Sequence, residues 1–158
     1  MEGFTLSLAL LDYVPVAAFG AAVVLAGGAM NNPLFIIGAA ISFLAGLMKA
    51  TWKLIIGVWK KDIKFMNKAF LPMQGTGWLI MLPAAIFSLF KSGPAKALSA
   101  VCGMPQLIFF ILWFAMTGLM VWYKKNRFVR EDARCNWTAE IINSVAQCSL
   151  LIGVIFVL

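Results

Sequence analysis

The sequence is poor in the side chains that carry most enzyme and metal chemistry. It has no histidine and only three cysteines, and these lie far apart without forming a CxxC pair. Zinc, haem and dithiol sites need such ligands at close spacing. We therefore predict no metal and no cofactor, assign no catalytic residue, and expect Cys102, Cys135 and Cys148 to be structural or incidental.

Charged residues are also scarce. They make up 12% of the chain, whereas 63% is hydrophobic, against about 25% and about 45–50% in soluble domains. The formal net charge of +7 would suggest nucleic acid as the partner of a soluble protein. Here the basic residues lie in short loops beside apolar runs, where membrane orientation and anionic lipid explain them. We predict an integral membrane protein that does not bind nucleic acid.

Long apolar runs dominate what the sequence does contain. Each run reaches or exceeds the roughly 20 residues that cross about 30 Å of hydrocarbon, and the polar connections between runs are too short to form a second core. The pattern predicts an all-α integral membrane protein, with a single transmembrane domain over residues 1–158. This five-transmembrane-helix bundle would have helices at about 4–30, 33–58, 69–91, 97–123 and 137–158.

The basic residues are divided unequally between the two ends of this bundle. Loops on the same side as the amino terminus hold Lys60, Lys61, Lys64, Lys68, Lys124, Lys125, Arg127, Arg130 and Arg134, whereas the opposite side holds Lys91 and Lys96. Cytoplasmic loops of membrane proteins are enriched in Lys and Arg. We expect the amino terminus to be cytoplasmic and the carboxyl terminus outside, in the plasma (inner) membrane.

The second helix has an amphipathic continuation on the cytoplasmic side, over about residues 52–68. Its apolar and basic residues occupy separate arcs of a helical wheel, which is typical of a helix that lies on a membrane surface or projects beyond it. Anionic lipids would then be its partners. The predicted lipid-surface residues are Trp52, Trp59, Lys60, Lys61, Lys64 and Lys68.

Polar side chains inside the predicted spans indicate where a site would form. The last helix carries Asn136, Glu140, Asn143, Ser144 and Gln147 within one arc about 100° wide, by the period of about 3.6 residues per turn. Such groups cannot face lipid without a large free-energy cost, so the arc should face the bundle interior. Asp12 in the first helix, followed by Pro15, would face the same interior.

We therefore predict a cytoplasm-facing polar pocket among the first, second, third and fifth helices. Glu140 and Asp12 would be its anionic members and Lys49 its cationic member. The full set of candidate ligand-binding residues is Asp12, Lys49, Lys53, Gln74, Glu140, Asn143 and Gln147.

Three functions fit these residues. In the first, the pocket binds a small polar ligand or relays ions, and the protein is a transporter, a transport subunit or a membrane sensor. In the second, the polar groups only tie helices together in a scaffold, which could form a homo-oligomer or join a partner membrane subunit. In the third, the protein is a membrane-embedded enzyme that acts on a lipid-like substrate. A Glu140→Gln variant would distinguish the first two, because a purely structural role predicts lost stability and a ligand role predicts lost binding.

Overall fold

The computed structural model describes residues 5–129 and 132–158, without the side chains of Pro94, Lys96 and Ala97. The predicted helix start at residue 4 and Arg130 of the basic set lie outside the described residues. All regular secondary structure in the described part of the chain is helical. The helices are α1 (Leu6–Leu11), α2 (Tyr13–Met30), α3 (Pro33–Trp59), α4 (Lys64–Lys91), α5 (Pro94–Cys102), α6 (Gln106–Asn126) and α7 (Ala133–Val157).

Five helical segments are long and apolar enough to cross a membrane. They are the combined α1–α2 run, Leu6–Met30, and the helices α3, α4, α6 and α7. The prediction of an all-α fold with five such helices is confirmed.

Two of the predicted spans are interrupted, each near a proline. The first is divided at Asp12, three residues before Pro15, whose ring nitrogen cannot donate a hydrogen bond to the carbonyl of Leu11. The predicted fourth span, 97–123, is divided into α5 and α6 by the segment 103–105, which contains Gly103 and Pro105. Only α6 is long enough to cross a membrane by itself.

The hairpin between α2 and α3 is tied to the far end of α4. Asn31 adopts the left-handed conformation, with φ of 44°, and the Asn32 side chain caps α3 by accepting a hydrogen bond from Leu34 N at 3.0 Å. The same Asn32 amide donates to Ser88 Oγ at 2.8 Å and to the Ala84 carbonyl at 3.1 Å. One side chain thereby fixes the relative positions of three helices.

Helices α3 and α4 approach each other closely through glycines. A Cβ atom added to Gly38 would lie 2.6 Å from Met81 N and 2.7 Å from the Gly77 carbonyl oxygen. Small residues permit this kind of close backbone approach in membrane helices. Around this contact lies a core that contains Phe19, Phe35 and Met81.

The long helices form an arc in the order α4, α3, α2, α7, α6. Helix α2 packs against α3 on one side and α7 on the other, α3 packs against α4, and α7 packs against α6. The two ends of the arc meet where the indole rings of Trp78 on α4 and Trp113 on α6 stack, with centroids 6.4 Å apart and planes at 23°. Residues from all five helices line the cavity described below.

The amphipathic continuation predicted over residues 52–68 is not a single helix. Helix α3 ends at Trp59, Lys60 takes the left-handed conformation, and α4 begins at Lys64. The chain turns back at this point, and the apolar side chains of the continuation are thereby buried. Ile63 and Met66 pack against a cluster of Leu8, Trp52 and Ile56. A straight helix would have left these side chains away from the bundle.

Trp52, which we predicted as a lipid-surface residue, is buried inside the bundle. It is only 2% exposed, and its indole nitrogen donates a hydrogen bond to Asp62 Oδ1 at 2.9 Å. The other residues of that predicted set are exposed: Trp59, Lys60, Lys61, Lys64 and Lys68.

Candidate functional site

One positively charged and two negatively charged side chains, from separate parts of the chain, meet inside the bundle. The Lys53 ammonium on α3 lies 3.0 Å from Asp12 Oδ1 and also contacts Glu140 Oε1 on α7. None of the three side chains is more than 10% exposed. We call Asp12, Lys53 and Glu140 the ion cluster.

The local sequence explains how Asp12 reaches this position. It occupies the junction between α1 and α2, and although it is the residue before α2, its side chain makes no capping hydrogen bond to that helix. The carboxylate is instead directed to Lys53. A buried carboxylate needs a paired cation, so the ion pair takes precedence over capping.

Each carboxylate of the ion cluster keeps one oxygen unused. Asp12 Oδ2 and Glu140 Oε2 are buried and have no hydrogen-bond partner among the described residues. With one ammonium between two ionised carboxylates, the cluster would carry a formal net charge of −1. A net charge in an apolar interior is unfavourable, so the three side chains do not balance one another.

The cation that bridges both carboxylates is Lys53, not Lys49 as we expected from the sequence. Lys49 lies one turn away on α3, where its ammonium donates a hydrogen bond to Asn67 Oδ1 on α4. It also lies over the rings of Trp52 and Phe70, 4.4 Å and 5.4 Å from their centroids. Lys49 thus ties α3 to α4.

A partly open cavity of about 270 Å³ lies between the five long helices. Its wall is largely aromatic, and the rings belong to Phe19, Phe43, Phe70, Trp78 and Trp113. Hydroxyl and amide groups are set among these rings, from Ser42, Gln74, Thr117, Asn143 and Gln147. The described residues that line the cavity carry no formal charge.

The cavity and the ion cluster are adjacent in helical register. Pro15 and Asn143 line the cavity, and each lies three residues after a carboxylate of the cluster, Asp12 and Glu140 respectively. Three residues of α-helix correspond to a rise of about 4.5 Å. The cluster therefore lies about one turn from the cavity wall along both α2 and α7.

Two polar atoms at the cavity wall are buried without partners. Among the described residues, Gln147 Oε1 and Ser42 Oγ have no hydrogen bond. The Gln74 amide is satisfied in the orientation where its nitrogen donates to the Ser42 carbonyl at 3.1 Å and its oxygen accepts from Trp78 Nε1 at 2.9 Å. Both oxygens are inaccessible to solvent, and Ser42 Oγ lies against Gly77 on α4.

The predicted site residues divide into two groups and one outlier. Asp12, Lys53 and Glu140 come together in the ion cluster, and Gln74, Asn143 and Gln147 lie in the cavity wall. Lys49 belongs to neither group.

Sequence reasoning did not identify Ser42, Thr117, Trp78 or Trp113 as cavity residues. The sequence signal that could have identified them was their position near the middle of an apolar span. Tryptophan in membrane helices is enriched at the interfaces, so the mid-span Trp78 and Trp113 were unusual. Hydroxyl groups inside apolar spans commonly bond within or between helices, and Ser42 and Thr117 could have been noted on that basis.

Metal chemistry has no obvious ligands in the part of the chain that the structure describes. No group of three or more His, Cys, Asp or Glu side chains is gathered there in a way that could hold a metal ion. Cys102, Cys135 and Cys148 are all free thiols. The arrangement of the site can instead hold a small molecule in the cavity and an ionic charge in the cluster.

Comparison with protein-family models, curated proteins and solved structures finds no match to this chain.

Proposed function

We propose that this protein is an integral membrane protein that binds a small, uncharged, planar molecule in its central cavity, and that it works as a transporter, a transport subunit or a membrane sensor. The observation that carries this proposal is the cavity itself, whose largely aromatic wall also carries amide and hydroxyl groups and no formal charge. A buried polar group without a hydrogen-bond partner costs about 1–3 kcal/mol. A ligand that forms hydrogen bonds with the amides of Asn143 and Gln147 would avoid that cost.

The aromatic wall supports a planar ligand. Aromatic rings pack well against flat, delocalised groups, in offset-stacked or edge-to-face arrangements. Side-chain amides such as those of Asn143 and Gln147 both donate and accept hydrogen bonds, which suits a heteroaromatic edge that carries both kinds of group. Since the wall is uncharged, an uncharged ligand avoids the cost of burying an ion.

The distribution of basic residues supports a cytoplasmic position for the amino terminus. In that orientation, the ion cluster lies on the cytoplasmic side of the cavity, because Asp12 precedes Pro15 on an outward-running helix and Glu140 precedes Asn143 on another. The exposed basic residues Lys60, Lys61, Lys64 and Lys68 would then lie near the head groups of the plasma (inner) membrane, where anionic lipid attracts them.

A scaffold that has no ligand is the second candidate. It is favoured by the ion cluster, which joins the α1–α2 junction to α3 and α7 as interhelical polar contacts do in other membrane proteins. It could act as a homo-oligomer or with a partner membrane subunit. The cavity distinguishes the two candidates, because an open space lined by amide and hydroxyl groups contributes nothing to holding helices together.

The test is direct binding of uncharged planar probes to the protein in lipid nanodiscs. Adenine, uracil and the fluorescent compound lumichrome serve as probes, with cyclohexanol as a non-planar control and adenosine monophosphate as a charged one. We expect saturable binding of at least one planar probe, measured by quenching of lumichrome or tryptophan fluorescence, and binding of neither control compound. A protein that binds none of the planar probes contradicts the proposal.

The site of binding is tested with Gln147→Leu, which removes the amide at similar volume. We expect about a tenfold weaker affinity, the effect of losing roughly 1.4 kcal/mol of hydrogen bonding, with unchanged thermal stability. Thr138→Val is the matched control, because Thr138 lies on the same helix but is exposed and does not line the cavity. Equal affinity in wild type and Gln147→Leu would place the probe elsewhere. Unchanged binding with a large loss of stability would favour the scaffold.

A further inference from the structure

We propose that the ion cluster is a proton-binding site, in which one exchangeable proton is held by the free carboxylate oxygens of Asp12 and Glu140. The proton-binding site does not depend on the proposed ligand-binding function. Its coupling to the cavity does rest on that function.

The first step is the charge of the cluster. Asp12, Lys53 and Glu140 are each less than 10% exposed as whole residues, and the two carboxylates outnumber the ammonium by one. An unbalanced charge in the interior of a membrane bundle is costly, and intramembrane carboxylates recur in the proton pathways of pumps and transporters. Binding one proton makes the cluster neutral.

The second step is the place for the proton. Lys53 contacts one oxygen of each carboxylate, Asp12 Oδ1 and Glu140 Oε1, and the second oxygen of each is buried without a partner. A proton taken from water would form an O–H bond at one of these free oxygens, converting an acceptor into a donor. Its release to water restores the carboxylate, so the exchange needs no other reactant.

The third step is the choice of a proton over a metal cation. A hard cation such as Ca²⁺ takes 6–8 oxygen ligands, whereas the cluster offers only the free oxygens Oδ2 and Oε2 among the described residues. The Lys53 ammonium also occupies the space between the carboxylates, and it would repel a second cation. A proton needs one oxygen and adds no volume.

Three further charged or titratable groups lie near the cluster. Lys124 on α6 interacts electrostatically with all three members, but among the described residues it forms no ion pair with either carboxylate. Lys49 on α3 donates to Asn67 Oδ1 on α4. The hydroxyl of Tyr13, the residue after Asp12, pairs with Thr51 Oγ1 at 3.1 Å.

The fourth step connects the proton to the cavity. Asp12 lies at the junction of α1 and α2, one turn before the cavity residue Pro15, and Glu140 lies one turn before the cavity residue Asn143. Protonation weakens the attraction of one carboxylate to Lys53, and so changes how firmly α2 or α7 is held against α3. Because both helices form the cavity wall, the two sites bias each other as linked binding sites do.

The proton site is tested by infrared spectroscopy of the protein in nanodiscs, without any ligand. We expect a carboxylic-acid carbonyl band that shifts in D₂O and disappears in alkaline buffer. Glu140→Gln and Asp12→Asn each leave one carboxylate paired with Lys53, a neutral combination, so each should lack the band and still fold. Asp132→Asn is the control: Asp132 caps α7 from an exposed position, Asn also caps well, and the band should remain.

Two results would overturn the proton site: a wild-type protein without the band, or a band that persists in both single variants. Coupling is tested separately, by measuring lumichrome affinity from acidic to alkaline buffer. We expect at least a threefold change in wild type and none in Glu140→Gln. A band combined with an affinity that does not vary with pH would refute the coupling, and absent lumichrome binding would count against the proposed function, while the infrared result still decides the proton site.

Discussion

Lys53 is the residue on which the polar interior depends most. A Lys53→Met substitution keeps much of the side-chain volume but leaves two buried carboxylates without a cation. Removing one partner of a buried ion pair typically costs 3–5 kcal/mol, although polar contacts in membrane proteins are often weaker. We expect the free energy of unfolding to fall by about 3 kcal/mol, measured by denaturant titration in mixed micelles.

The control for this change is Lys61→Met, which removes an exposed lysine and should leave stability within about 0.5 kcal/mol of wild type. Adding Glu140→Gln to Lys53→Met should recover part of the loss, because one of the two buried carboxyl groups left without Lys53 is then absent. If Lys53→Met unfolds at the wild-type denaturant concentration, the ion cluster contributes nothing to stability.

The choice between Lys49 and Lys53 shows why sequence alone was insufficient at this scale. The two lysines lie four residues apart, about one turn, and so occupy nearly the same face of α3. Helical periodicity can place both near Asp12 and Glu140, but it cannot say which ammonium lies at the depth of the carboxylates. That depth depends on how far α3 is displaced along its axis relative to α2 and α7.

At the scale of the helix, the glycine contact between α3 and α4 should limit what the sequence tolerates. A Gly38→Ala change would place a methyl group against the backbone of α4, at Met81 and Gly77, and neither backbone can move aside alone. Overpacking of this kind usually costs 1–3 kcal/mol, and we expect a loss of about 2 kcal/mol in the same unfolding assay.

Gly75→Ala is the matched control in α4. A Cβ atom at Gly75 would meet no atom within 4 Å, and alanine favours a helix over glycine by roughly 1 kcal/mol. Stability should therefore stay the same or rise. Similar losses in both variants would mean that glycine flexibility, and not the close approach of two helices, is what matters.

The segment after Trp52 illustrates the same limit for a whole element. Its apolar and basic faces could be predicted from the sequence, but an apolar face can be buried either by lipid or by protein. The structure buries it against Leu8 and Ile56 by turning the chain at Lys60, because a protein partner was available within reach of a four-residue connection.

For the molecule as a whole, the testable quantity is its orientation. We expect Ser92→Cys, in the turn after α4, to lie outside, and Lys61→Cys, in the turn after α3, to lie in the cytoplasm. Both residues are exposed, and each cysteine would be placed in a protein whose three native cysteines are changed to alanine. A membrane-impermeant maleimide should label the first variant in intact cells and the second only after the cells are permeabilised.

The cysteine-free parent supplies the control for both variants and should not be labelled. The reverse labelling pattern would invert the proposed orientation, and would place the ion cluster on the outer side of the cavity. Labelling of both variants in intact cells would contradict a membrane-spanning arrangement in which these two turns lie on opposite sides.

The helical class and the number of long apolar segments could be predicted from the amino-acid sequence, because hydropathy and segment length are local properties that need no tertiary contact. Glu140, Asn143 and Gln147 could also be assigned to one face of a helix, since helical periodicity is local too. The packing of the helices was needed to show that Lys53 bridges the carboxylates, that Trp52 is buried, and that Trp78 and Trp113 stack beside a cavity. Those features depend on the relative depth and rotation of separate helices, which packing sets after the helices have formed.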